Sequence, residues 1–62
     1  MNNYYNTIRL ALILALQAEV EGMKAENVSR EQQQLSIAYT EDAFQKKADA
    51  IRELAYKPDD LL

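Results

Sequence analysis

Asn27-Val28-Ser29-Arg30-Glu31-Gln32 is the stretch on which the fold of this chain turns. Ser29 followed three residues later by Gln32 has the spacing of a capping box: the serine hydroxyl accepts from the glutamine backbone amide, and the glutamine side chain reaches back to the serine amide. Asn27, just upstream, tolerates the left-handed conformation that ends helices. Read this way, a first helix stops near Glu26 and a second starts at Arg30. So short a link makes the two helices antiparallel neighbours.

Upstream of that link the helical pattern begins near Tyr4, with Asn2 or Asn3 available as N-cap and Asn6 or Thr7 as a second candidate start. Ile13, Leu16, Val20 and Met23 recur at alternating spacings of three and four residues, and Ile8, Leu12 and Ala15 form a neighbouring stripe. Within this helix lies the run Leu10-Ala11-Leu12-Ile13-Leu14-Ala15-Leu16. Because a helix turns once per 3.6 residues, such a run is apolar all round and needs cover from several sides. Gly22 costs a helix interior about 1 kcal/mol relative to Ala. Its missing side chain either permits close approach of another helix or marks an ordinary surface position.

Downstream, the second helix is expected to run from about Arg30 to Tyr56, ahead of Pro58. Its apolar stripe is Ile37, Phe44, Ala48, Ile51 and Ala55, with Leu54 alongside. Asp42–Lys46 and Glu53–Lys57 are (i, i+4) pairs with the acid first, the better orientation. Thr40-Glu41-Asp42 also has the chemistry of a helix start, so a break near Tyr39-Thr40, giving three helices, stays open as an alternative. A hairpin folded about Val28 pairs Leu12 with Phe44, Ile8 with Ala48, and Tyr4 or Tyr5 with Ile51. The expected organisation is one domain over residues 1–57 and a flexible acidic-leucine tail over 58–62, unless Leu61 and Leu62 dock.

Size and composition bear on how such a hairpin is stabilised. A domain of 62 residues buries only about 60% of the surface its unfolded chain exposes. Disulfides, a metal or oligomerisation usually make up the deficit. The chain has no Cys and no His, which removes disulfides, thiolate metal sites and the commonest metal ligand. Oligomerisation remains. The expected fold class is therefore all-α, an antiparallel helical hairpin dimerising into a four-helix bundle. Its interface would draw on Ile8, Leu10, Leu12, Ile13, Leu14, Leu16, Val20, Phe44 and Ile51.

Composition also narrows function. One Gly, one Pro and a net charge of -3 describe a helix-rich chain whose charge favours neither nucleic acid nor a membrane surface. The apolar run is far shorter than the roughly 20 residues that span a bilayer. Residues 1–7 carry no basic side chain, unlike a signal peptide, and the missing cysteines fit a reducing, cytoplasmic compartment. No Ser-His, Cys-His or metal-ligand constellation and no phosphate-binding loop is present. Catalytic, cofactor and metal sites are accordingly expected to be absent.

The remaining expectation is a non-catalytic protein that self-associates and binds a protein partner in a regulatory role. The alternative is a small RNA- or DNA-binding regulator using Lys46, Lys47 and Arg52, with Tyr39 and Tyr56 available for stacking. Asp42, Asp49 and Glu53 are interleaved with those cations and weaken their field. Tyr4, Tyr5, Tyr39 and Tyr56 are either interface anchors or caps over the ends of a small core.

In length, hairpin plan and polar tail the chain resembles the plasmid-encoded Rop type of RNA-binding dimer. The resemblance covers the pattern of the whole chain, implies a hairpin dimer, and carries over no RNA-binding residue. More loosely, a short, Cys-free, acidic helical chain with a hairpin signal at Asn27-Val28-Ser29-Arg30 is similar to small early-region accessory proteins of lambdoid phages. That likeness implies a host-takeover or developmental role exercised through protein binding.

Overall fold

The computed structural model describes residues 4–62, all of whose regular structure is helical. The N-cap candidates Asn2 and Asn3 lie outside the described residues. Helix α1 spans Tyr4–Gln32 and helix α2 spans Glu41–Tyr56, with a single 3-10 turn at Asp59–Leu61. The chain is an all-α hairpin with two helices of unequal length. The 29 residues of α1 extend about 44 Å and the 16 of α2 about 24 Å.

The first helix does not stop near Glu26. It runs through Asn27, Val28 and Ser29 without a break, and the expected capping box is not formed. The Ser29 hydroxyl instead accepts from the Gln33 side-chain amide at 3.0 Å, one helical turn on. The physical reason lies in the neighbours. No Gly or Pro interrupts residues 23–33, the surrounding residues are mostly good helix formers, and an Arg30–Glu26 ion pair of 2.9 Å spans the expected break on the (i, i+4) spacing.

Termination comes at Gln34, whose φ of 61° places it in the left-handed region. The Leu35 amide donates to Arg30 O at 2.8 Å and the Gln34 amide to Glu31 O at 3.0 Å. This is the six-to-one and five-to-two pattern of a Schellman motif, with a glutamine where glycine is usual. Residues 35–40 are neither helix nor strand. Their side chains include Ser36, Ile37, Tyr39 and Thr40, which are weaker helix formers.

This connector doubles back along the end of α1. Asn27 Oδ1 accepts from the Ala38 and Tyr39 amides, each at 3.0 Å, and Asn27 Nδ2 donates to Tyr39 O at 2.8 Å. The second helix therefore starts at Glu41, the later of the two starts legible in the sequence, rather than at Arg30. Thr40 occupies its N-cap position through its backbone alone, and Glu41 and Asp42 sit favourably at the positive end of the helix.

Moving the turn changes the register. Lys47 Nζ meets Glu19 Oε1 at 2.7 Å, and Phe44 lines one groove with Val20 rather than facing Leu12. The helices are displaced by about two helical turns from the pairing expected for a turn at Val28. At the open end, Arg9 closes the hairpin. Its Nε donates to Leu54 O at 2.8 Å and its Nη2 to Lys57 O at 2.6 Å. The last turn of α2 has no basic residue of its own, so Arg9 supplies from α1 the cation that the carbonyl end of a helix favours. Arg9 also pairs with Asp59 at 2.8 Å, which ties the start of the tail, expected to be flexible, to α1.

Candidate interaction surface

The two helices meet along one side of α1, where Ile13, Leu16, Val20, Met23 and Asn27 alternate at spacings of three and four. Met23, at 6% exposure, is the one buried apolar residue among those described. Of the nine residues expected at an oligomer interface, Ile8, Ile13, Leu16, Val20, Phe44 and Ile51 are half-buried within the hairpin. Leu10, Leu12 and Leu14 remain 57%, 42% and 52% exposed. The all-round apolar run is thus covered by α2 on one flank only.

A groove flanks each side of the helix–helix seam. One, of about 590 Å³, is lined by Gly22, Met23, Tyr39, Ala43 and Ala50, with Glu19, Lys46 and Lys47 at its edges. The space above Gly22 is open, with nothing within 4 Å of where a Cβ would stand, so no contact inside the hairpin requires a glycine there. The other groove, of about 240 Å³, is formed by Val20, Phe44, Ala48 and Ile51 with Gln17 and Glu21. The Lys47–Glu19 ion pair crosses the first groove.

The candidate nucleic-acid contacts are each held by an acid: Lys46 by Asp42 at 3.5 Å, Lys47 by Glu19 at 2.7 Å and Arg52 by Asp49 at 2.8 Å. They are also dispersed around α2. At about 100° per residue, Lys46, Lys47 and Arg52 point in three directions roughly 100–140° apart. Lys46 and Lys47 share the larger groove, and Arg52 does not line it. Among the tyrosines, Tyr39 lines that groove and Tyr56 is almost fully exposed. The rings of Tyr4 and Tyr5 meet edge to face at 5.4 Å.

Two residues that organise the surface were not singled out from sequence for these roles. Arg9 is the one charged residue between Tyr4 and Ala18, and that isolation in an apolar stretch was the available signal. Asn27, expected to end the helix, is a helical residue whose amide side chain holds the connector. Among the described residues no group of three or more acidic side chains is placed to hold a metal ion, and no helix is long and apolar enough to cross a membrane.

No family model matches the chain, and no curated protein and no solved structure matches it significantly.

Proposed function

We propose that this chain is a non-catalytic helical protein that acts by binding. It self-associates, two hairpins together supplying four helices, and in that form engages a protein partner in a regulatory role. One observation carries the reading: Met23 is the only buried apolar residue among those described, while Leu10, Leu12, Leu14, Val28, Leu35 and Ile37 are exposed. A soluble chain seldom leaves so much apolar surface unpaired unless another molecule covers it.

The overall dimensions support the same reading. The radius of gyration is 15.0 Å, against about 11 Å for a compact chain of this length. Two helices side by side cover each other on one flank only, and a second hairpin covers a further side of α1. The grooves beside α2 then remain as surfaces for the partner.

Light scattering over a concentration series tests this directly. The expected result is a mass twice that of the 7.1 kDa chain, constant over the upper part of the series. A folded species of monomer mass at all concentrations would overturn the self-association, and a mass that grows without limit would replace the closed dimer with an open assembly.

A further inference from the structure

Which surface the second copy covers follows from α1, and this inference rests on the self-association proposed above. The side of α1 opposite Ile13, Leu16 and Val20 presents Ala11, Leu14 and Ala18, with Leu10 beside them. All four are exposed. Their phase follows from about 100° per residue, which puts Leu14 and Ala18 roughly half a turn from Leu16. From Leu10 to Ala18 there is no charged residue. Spacings of three and four are those of a seam along which a second helix packs at a shallow angle.

We infer that this face of α1 is covered by the same face of a second copy, the two α1 helices running antiparallel and crossing near Leu14. The area fits. The chain exposes 4916 Å², where a compact monomer of 7.1 kDa exposes about 4,100 Å². The excess of about 800 Å² belongs to the whole elongated chain and is of the size that one partner gives to an interface of standard size.

Charge selects the orientation. In a parallel pair, Glu21, although paired with its own Lys24 at 3.1 Å, would lie beside Glu21 of the second copy, and like charges that meet destabilise a contact. An antiparallel crossing at Leu14 sets Glu21 against residues 4–8 of the second copy, which carry no charge. Shape agrees: Leu14 meets Leu14 of the second copy, and Ala11 meets Ala18 of the second copy, so the axes can approach closely. The two α2 helices lie outermost, with their Asp42, Lys46, Asp49 and Arg52 side chains toward water.

Because the chain contains no Cys, introduced cysteines report this geometry without background. The double variant Ala11→Cys/Ala18→Cys and each single variant are oxidised at a concentration where the unmodified chain has dimer mass. Positions 11 and 18 of one helix are about 10 Å apart, too far for a disulfide within a chain. Both substitutions fall at exposed small residues, and circular dichroism checks that the helices persist. The double variant is expected to form a covalent dimer at least tenfold faster than either single variant, since in the antiparallel crossing like positions lie about 10 Å or more apart. Self-linking of the single variants at the rate of the double would mean parallel helices and overturn the inference. A dimer-sized double variant that does not cross-link would place the second copy on another face, while self-association stands. Monomer mass for the unmodified chain would remove both readings together.

Discussion

Arg9 joins three parts of the chain through one side chain. Its guanidinium reaches the carbonyls of Leu54 and Lys57 and the carboxylate of Asp59, and the side chain is 15% exposed. Hydrogen bonds to a charged group contribute about 1.5–3 kcal/mol, so Arg9→Ala is expected to cost about 2 kcal/mol, read from chemical denaturation. Arg9→Lys should recover less than half of that, because an ammonium cannot present the guanidinium's fork. Asp59→Asn should cost under about 0.5 kcal/mol, since its partly exposed ion pair is screened by water. Equal losses for Arg9→Ala and Asp59→Asn would show that the ion pair, not the helix end, is what Arg9 serves. Asn27 has a comparable role at the closed end. Asn27→Ala removes three hydrogen bonds to the connector and should speed hydrogen exchange at the Ala38 and Tyr39 amides, while those in the middle of α1 keep their protection.

At the scale of elements, the ends of α1 and α2 separate two ways of reading the same residues. Arg30→Pro distinguishes them: proline is tolerated at the first position of a helix starting there, but inside a continuous helix it costs about 3 kcal/mol or more. The structure predicts the large loss, visible as a collapse of thermal stability. Gln34→Gly should act in the opposite direction. A non-glycine residue in the left-handed region costs about 1–2 kcal/mol, part of which returns as glycine's greater freedom in the unfolded chain. A net gain of about 1 kcal/mol in denaturation is expected, and a loss would show that Gln34 makes a compensating contact.

The helical class, the hairpin plan and the stop before Pro58 were legible because hydrophobic periodicity and proline act locally. The turn was not. Ser29 and Gln32 fit a capping box as well as they fit a helix interior, and the deciding interactions are the Glu26–Arg30 pair across the expected break and the Asn27 contacts twelve residues on. The apolar face of Leu10 and Leu14 was legible as a run needing cover. Which residues α2 would take up depended on a register that the turn sets.

For the whole molecule, folding and assembly are expected to be one transition. A single hairpin with Met23 as its one buried apolar residue among those described has little core to offset the entropy of ordering two helices. Isolated helices are marginal in water, and most of their stability comes from packing. If a second copy supplies that packing, the melting midpoint must rise with concentration, because only the folded state is assembled. A tenfold increase changes the assembly term by about 1.4 kcal/mol, and with about 2.1 cal/mol/K of unfolding entropy per residue over two chains this moves the midpoint by about 5 °C. Leu14→Asp sets two carboxylates against each other at the centre of the inferred contact, where burying an unpaired charge is prohibitive. It should give monomer mass, lower helicity at 25 °C, and a midpoint that no longer responds to concentration. Circular dichroism melts of both proteins over a hundredfold range of concentration decide the matter. A midpoint for the unmodified chain that stays fixed across that range would mean the hairpin is stable alone, and the exposed face of α1 would then be free for a different protein.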